Sequence, residues 1–180
     1  MDIQFAILGL LNRQSLSGYD LKKIIADSDV FYWSGNNNQI YNSLVALHKS
    51  GLVTQEIVSQ ESLPNKKIYS ITEAGREKLR TWLLSPPELP EFRDNFLIHL
   101  ALSELLKSAE LDNLLAKYEE EVDVQHRMRQ AQVTLLAAVP NYSDRERYLW
   151  RKILENIAAL YRNELEWVRQ IRKDIREGNF

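Results

Sequence analysis

The chain has 180 residues, of which 44% are hydrophobic and 27% charged, enough for one medium domain or two small ones with a buried core. It contains no cysteine, which excludes disulfides, thiolate catalysis and zinc sites built on cysteine. The net charge of -2 gives no general support for nucleic-acid binding, so any DNA-binding surface must be local.

The N-terminal apolar stretch is too short to cross a bilayer. Phe5–Leu11 follows Asp2 rather than a basic segment, so it does not have the pattern of a signal peptide. We therefore expect no membrane association and a cytoplasmic location.

The first half of the chain predicts three helices before any strand. The opening helix is strongly apolar, and Gly9 within it suggests close packing. Ser17-Gly18-Tyr19-Asp20 has the pattern of a capping box at the start of the second helix. The third helix ends at Gly51, and its core face is predicted from the spacing of Ile40, Leu44 and Leu47.

A hairpin and a fourth helix follow. Two strand-like runs, Leu52–Val58 and Lys66–Ile71, flank a polar loop that contains Pro64. Thr72 is placed to cap the fourth helix. Three helices closed by a hairpin predict a winged helix-turn-helix, a variant of the DNA-binding helix-turn-helix.

The prolines within Ser85–Pro90 indicate an interdomain connection. Residues 1–85 carry 9 Lys/Arg and 8 Asp/Glu, whereas residues 86–180 carry 14 and 17. This weak asymmetry has the sign expected if DNA binding lies in the first half. We predict a winged helix-turn-helix DNA-binding domain over residues 1–85 and a helical dimerisation and effector domain over residues 86–180.

The second half is predicted to be all helical, so the fold class is mainly α. Phe92–Leu106 is predicted as one helix, and Ser108 is placed to cap a long second helix that ends at Pro140. Ser143-Asp144-Arg145-Glu146 is a capping box that opens a third helix. The apolar stripe of this helix runs for roughly thirty residues, so it needs its helical neighbour and a partner chain for burial.

Three stretches of the first half resemble the PadR family of bacterial regulators. They are Ser17–Leu21; Trp33-Ser34 with Gln39-Ile40-Tyr41, Leu44, Leu47 and Gly51-Leu52-Val53; and Lys67–Arg76. The second half is similar in length and helical character to the C-terminal domain of the longer subgroup, which is related to a virulence-activator domain. Asn42, Ala46 and His48 depart from residues common in the family. The resemblance implies a homodimeric repressor of this fold.

The start of the third helix is the predicted DNA-reading segment. Asn and Gln side chains at the N-terminal end of a recognition helix can pair bidentately with adenine. The alternative is that the asparagines only form the loop and cap the helix. The candidate DNA-binding residues are Asn36, Asn37, Asn38, Gln39, Tyr41 and Asn42.

Two lysines of the predicted wing complete this candidate site. Lys66 and Lys67 follow the wing loop and can meet phosphate or the minor groove; the alternative is an ordinary solvated pair. Tyr41 follows a core residue and should face outward, with partial packing against the wing as its alternative role.

Neither catalysis nor a cofactor is predicted. His48, His99 and His126 are far apart in sequence and have no metal-ligand spacing, so we predict no metal site. The chain contains neither a Gly-rich phosphate loop nor a nucleophile elbow.

Aromatic side chains near or beyond the junction form a second candidate site. Flat rings at a dimer cleft can stack a planar ligand, and the resemblance implies phenolic or drug-like effectors. The alternative is core and coiled-coil packing. The candidate effector residues are Trp82, Phe92, Phe96 and Trp150.

Together these features predict a homodimer that pairs through its C-terminal helices and binds a palindromic double-stranded DNA operator. A small aromatic effector would change the spacing of the wings and lower operator affinity. The rival interpretation is a winged helix that mediates protein assembly without binding DNA. The near-neutral first domain and the absence of arginine from its third helix keep this rival open.

Overall fold

The computed structural model of the chain describes residues 3–28, 30, 38–59, 65–89, 94–135 and 142–179. Its internal contacts divide the chain into two compact units, Met1–Pro90 and Glu91–Phe180. The sequence places the boundary slightly earlier, after Ser85.

The first unit has the winged helix-turn-helix arrangement that the sequence predicts. Three helices precede a β-hairpin, the wing, and a fourth helix follows it. The elements are α1 (Ile3–Arg13), β1 (Leu16–Ser17), α2 (Gly18–Ala26), α3 (Asn38–Lys49), β2 (Val53–Val58), β3 (Lys66–Ile71) and α4 (Glu73–Leu84).

A small antiparallel sheet connects the wing to the helices. Its strand order is β1-β3-β2, so β3 lies in the centre. In the hairpin Val53 pairs with Ile71 and Val58 with Lys66. On the other edge Ser17 pairs with Ile68. The sequence did not predict β1, because two residues are too few to show a strand period.

The core of this unit lies between α1, α2, α3, α4 and the sheet. The predicted core residues of α3 are buried, and Ile7 and Leu21 are fully enclosed. Gly9 does not have the role that the sequence suggested, because a Cβ added there would meet no described atom within 4 Å. Thr72 caps α4 as predicted: its side chain accepts from the amide of Gly75 and donates to the carbonyl of Gly51.

The described part of the second unit is helical, with α5 (Asn95–Ala101), a 3₁₀ turn (Ser103–Leu105), α6 (Ser108–Leu135) and α7 (Asp144–Glu177). The predicted single helix over Phe92–Leu106 is therefore wrong in its bounds. Asp94 caps α5 by accepting from the amide of Phe96, and the Ser103 hydroxyl donates to the carbonyl of Leu100 where the helix ends.

The ends of the two long helices only partly follow the prediction. Ser108 is the first residue of α6 rather than its cap, and the amide of Lys107 donates to the Glu110 carboxylate. The predicted end of this helix at Pro140 lies outside the described residues. The capping box of α7 is present: Ser143 and Glu146 bond reciprocally.

Helices α6 and α7 pack antiparallel. Leu115, Val122, Leu165 and Val168 are buried in this unit. At one edge, carboxylates of α6 meet guanidinium groups of α7 in the pairs Asp112–Arg172, Asp112–Arg176, Glu119–Arg169, Glu119–Arg172 and Asp123–Arg169. This ladder of opposite charges fixes the register of the two helices.

Candidate nucleic-acid interface

The first turn of α2 is held by a reciprocal cap. The Ser17 hydroxyl accepts from the amide of Asp20 at 3.1 Å and donates to its carboxylate at 2.7 Å. That carboxylate also accepts from the amide of Ser17 at 3.2 Å. Because Ser17 is also a residue of β1, the cap joins the start of α2 to the central strand of the sheet.

Helix α3 presents a polar face opposite its core face. Ile40, Leu44 and Leu47 point inward and are at most 4% exposed. The predicted reading residues Asn38, Gln39, Tyr41 and Asn42 are all exposed. Asn36 and Asn37, predicted with them, lie outside the described residues.

Tyr41 combines exposure with a close packing contact. Its side chain is 45% exposed, as the sequence predicted for an outward position. A Cβ placed on Gly18 would lie only 2.7 Å from Tyr41 Cε1, so the ring rests against the start of α2. Packing against α2 therefore fixes the ring beside Gly18, a contact that the sequence did not predict.

The two wing lysines have different surroundings. Lys66 Nζ lies 3.0 Å from Asp20 Oδ2, whereas Lys67 is exposed and points to the other face of β3. Hydrogen bonds from Ser17 and the ammonium of Lys66 lower the pKa of Asp20 below its ordinary value of 3.8. Lys66 is thus already paired with an acid, a contact between distant segments that the sequence did not reveal.

Two further exposed side chains adjoin this face and were missed. Tyr19, 68% exposed, directly follows Gly18, and Val45, 64% exposed, lies one turn beyond Tyr41 on α3. The sequence assigns Tyr19 only to the capping box at the start of α2. For Val45, the available signal was an apolar residue that does not fit the core spacing of Ile40 and Leu44.

The described aromatic candidates have different neighbours within their own units. Trp82 stacks on Phe5 of α1, with ring centroids 4.6 Å apart, and remains 42% exposed. In the second unit Phe96 is buried, stacks on Tyr118 and meets Trp167 edge-on. Phe92, another candidate effector residue, lies outside the described residues.

Trp150 lies far from the Phe96 cluster along α7. It neighbours Tyr142 near the beginning of the helix, with ring centroids 6.4 Å apart. Trp167, which meets Phe96, is seventeen residues further on. That separation corresponds to about 25 Å along a helix, so one small ring cannot contact both places within a single unit.

Tyr118 is the polar member of the Phe96 cluster. Its hydroxyl donates to Glu164 Oε1 at 3.0 Å. Burial, followed by the neighbouring Glu164 carboxylate, raises the pKa of Tyr118 well above its ordinary value. The phenol therefore stays neutral at physiological pH and acts here as a hydrogen-bond donor.

The described ranges contain no group of three or more His, Asp or Glu side chains that could hold a metal ion. None of their helices is both long and apolar enough to span a bilayer.

Comparison with known proteins finds a family match within the first unit. Residues 7–81 match the model of the Transcriptional regulator PadR-like family. The chain is also 32% identical over 113 residues to the negative transcriptional regulator PadR of Bacillus subtilis. Residues 7–81 of the chain are thus similar to the PadR-like family. This alignment covers 62% of the present chain and 62% of the B. subtilis protein.

Solved structures extend the PadR-like likeness over both units. The structure of B. subtilis PadR with operator DNA has a TM-score of 0.85 at 26% identity and covers 96% of this chain and 98% of that one. A second structure of that protein, with p-coumaric acid, matches at a TM-score of 0.77 and 24% identity, covering 96% and 94%. The virulence activator AphA of Vibrio cholerae matches at 0.69 and 27%, covering 97% and 98%.

Proposed function

We propose that this chain is a sequence-specific DNA-binding transcriptional regulator that acts as a homodimeric repressor on a palindromic operator. The observation that carries the proposal is the outward polar face of α3, which lies beside a wing with lysines on β3. We assign the chain no catalytic activity, in keeping with a family of regulators.

The chemistry of α3 suits base readout. Asn and Gln side chains offer a donor and an acceptor together, the pattern that adenine presents in the major groove. Asn38, Gln39 and Asn42 are exposed on the first turns of the helix, the part that enters the groove in helix-turn-helix proteins. Asn36 and Asn37 are proposed to extend this set. Tyr41 lies among them and can reach a base or a phosphate.

The cations around this face suit phosphate contacts. Lys67 is exposed on β3, and Lys23 is exposed on α2. Lys66 is proposed to contact phosphate only in competition with Asp20, its partner in the free protein. Each phosphate contact that is lost should reduce the salt dependence of binding by about one unit.

The second unit supports pairing through α7. This helix also has a partly exposed apolar stripe, formed by Leu149, Ile153, Leu160 and Trp167. Their spacings of four, seven and seven residues match the a/d seam of a coiled coil. Burial of this stripe against the same stripe of a second copy would give a symmetric dimer, which suits a palindromic operator.

The comparisons add a specific precedent. B. subtilis PadR, the relative with 32% identity, is also the protein whose structure with operator DNA resembles this chain over nearly its full length. That likeness supports the same mode of DNA binding here.

Release by a small aromatic effector is the regulatory part of the proposal. Trp82, Phe96 and Trp150 remain its candidate contacts, together with Phe92. Within the second unit, Phe96 and Trp150 are too far apart to contact one small ring. Trp82 is the most open of the three described rings: one face stacks on Phe5, while the residue stays 42% exposed. Tryptophan fluorescence of W82F and W150F, titrated with p-coumaric acid as the probe, tests Trp82 and Trp150.

DNase footprinting of the full chain on the region upstream of its own or a neighbouring gene tests the DNA-binding proposal. Protection of a palindromic segment at low salt is expected, with strong losses for Y41A and K67A. K78A is the matched control, because Lys78 is an exposed lysine of α4. Absence of protection at low salt by dimeric protein would contradict the proposal.

A winged helix used for protein assembly is the second candidate function. The pairing of Lys66 with Asp20 favours it, since this pairing leaves the wing less cationic than the sequence suggests. Under this alternative Y41A and K67A would leave DNA retention unchanged and equal to K78A, while assembly measured by light scattering would persist.

A further inference from the structure

The outward face of α3 carries one aliphatic side chain that the fold does not explain. Val45 is 64% exposed, whereas Ile40, Leu44 and Leu47 on the same helix are at most 4% exposed. Val45 does not belong to the core cluster of this unit or to the partly buried residues packed against it. A β-branched residue is also a poorer helix former than alanine, so helix stability does not account for it.

Its direction places Val45 among the proposed reading residues. It follows Asn38 by seven residues, Tyr41 by four and Asn42 by three, the spacings that put side chains on one helix face. The rise from Asn38 to Val45 is about 10 Å, which fits within the major-groove width of about 12 Å. A base-reading helix in the groove would therefore carry Val45 along with its polar residues.

The major groove offers one apolar partner for such a side chain. Thymine alone among the four bases presents a methyl group there, at C5, and small apolar side chains recognise it by contact. Asn and Gln read the amino group and ring nitrogen of adenine in the same base pairs. The polar and apolar members of this face thus suit one kind of sequence, rich in A·T pairs.

We propose that Val45 is a specificity-determining residue that packs its methyl groups against the 5-methyl group of a thymine in each operator half-site. This inference rests on the proposed function, because it requires α3 to lie in the major groove. It adds a definite base and a definite atom to that function.

Replacing thymine by deoxyuridine tests the contact without changing base pairing. Duplexes are first selected from a random-sequence pool with the full chain, and each thymine of the consensus is then replaced singly. We expect the wild type to lose about fourfold in affinity at one or two positions per half-site, the effect of losing one buried methyl group. V45A should bind the thymine and deoxyuridine duplexes equally at those positions.

Two variants sharpen the assignment. V45T retains the shape of valine and one methyl group, so it should keep a reduced preference for thymine. I57A removes an exposed aliphatic side chain of β2 and should leave the thymine preference intact. Circular dichroism of V45A should show an unchanged helix content, because alanine is well tolerated on an exposed helix face.

The possible outcomes distinguish failure of the Val45 contact from failure of the proposed DNA binding. Failure to select any duplex would overturn both. Selection of a consensus in which no deoxyuridine position matters, or in which V45A shows the same losses as the wild type, would overturn the role of Val45 alone. Loss of the thymine preference in I57A rather than V45A would transfer the contact to the wing and equally overturn it.

Discussion

Lys66 and Asp20 form an ion pair of 3.0 Å between the wing strand β3 and the first turn of α2. Their side chains are 40% and 36% exposed, so the pair contributes at most about 1 kcal/mol to folding. Its greater effect is on charge, because the Asp20 carboxylate partly neutralises Lys66, which is proposed to contact a DNA phosphate.

Removal of this carboxylate should therefore strengthen DNA binding. D20N keeps an oxygen that can accept from Ser17 and frees Lys66 for phosphate. We expect affinity to rise about two- to fivefold at low salt, with a gain that shrinks as salt is raised. D27N removes an exposed carboxylate at the other end of α2 and is the matched control. Fluorescence anisotropy measures both; weaker binding by D20N would show that Asp20 instead positions the wing.

A glycine at position 18 should be required for full stability and DNA binding, because the Tyr41 ring packs against it. An alanine Cβ there would lie 2.7 Å from Tyr41 Cε1 and 3.4 Å from Leu44 Cδ1, so the ring must move. G18A is expected to destabilise the wild type by about 1 kcal/mol and to weaken DNA binding about tenfold. In the Y41A background the same change should be neutral or stabilising, because alanine is the better helix former. Urea denaturation of the wild type, G18A, Y41A and the double variant measures the free energy of unfolding of each. Equal effects of G18A in both backgrounds would exclude the contact.

Substitution by alanine should destabilise the protein far more at Gly75 than at Gly9. A Cβ on Gly75 would lie 2.2 Å from the carbonyl oxygen of Leu52, which is held by the amide of Thr72 at 3.1 Å. G75A is thus expected to cost about 3 kcal/mol or more. G9A should stabilise the chain by about 0.5–1 kcal/mol, because Gly9 lies within α1 with open space around it. Thermal unfolding followed by circular dichroism ranks the two variants, and similar midpoints would contradict this account.

The second unit should lose stability in acid. Hydrogen bonds from Arg172 and Arg176 lower the pKa of Asp112 below 3.8, and those from Arg169 and Arg172 lower the pKa of Glu119 below 4.5. A carboxyl with a depressed pKa in the folded state contributes stability that is complete above its ordinary value. That contribution is lost as the pH falls through the lower folded value. Urea midpoints should therefore decline below about pH 4.5.

E119Q isolates this effect. The variant is expected to be about 1–2 kcal/mol less stable than the wild type at pH 7, because the side chain of Glu119 is only 19% exposed and bonds two guanidinium groups. The difference should shrink as the pH falls, since the wild-type carboxylate is then protonated. E120Q changes an exposed neighbour and should match the wild type at every pH. A gap between E119Q and the wild type that stays constant down to pH 3 would contradict the assignment.

The fold was predictable where the signal is local. The caps at Ser17, Thr72 and Ser143 join residues three positions apart, and the core spacing of α3 repeats within one helix, so both are visible in the sequence. The strand β1 was missed because its two residues are specified by pairing with β3, some fifty positions away. The bounds of α5 depend on single side chains, Asp94 and Ser103, whose hydrogen bonds the helical period does not show.

The sequence predicted the exposure of the described candidate residues on α3 but not their contacts. The exposure of Tyr41 and Asn42 follows from the helical position of Ile40. The pairing of Lys66 with Asp20 joins segments that are distant in sequence, so charge counting treated the lysine as free. The contact of Tyr41 with Gly18 also depends on how α2 crosses α3, and no local pattern reports this angle.

Ser17 couples local unfolding of the wing to local unfolding of the beginning of α2. The same residue pairs with Ile68 of β3 and caps the first turn of α2, whose next residue, Gly18, supports Tyr41. A local opening that detaches β1 from β3 must therefore loosen the beginning of α2 as well. Amide hydrogens of the two segments should exchange with deuterium as a single cooperative unit, so opening of the wing also removes the support of Tyr41 on α3.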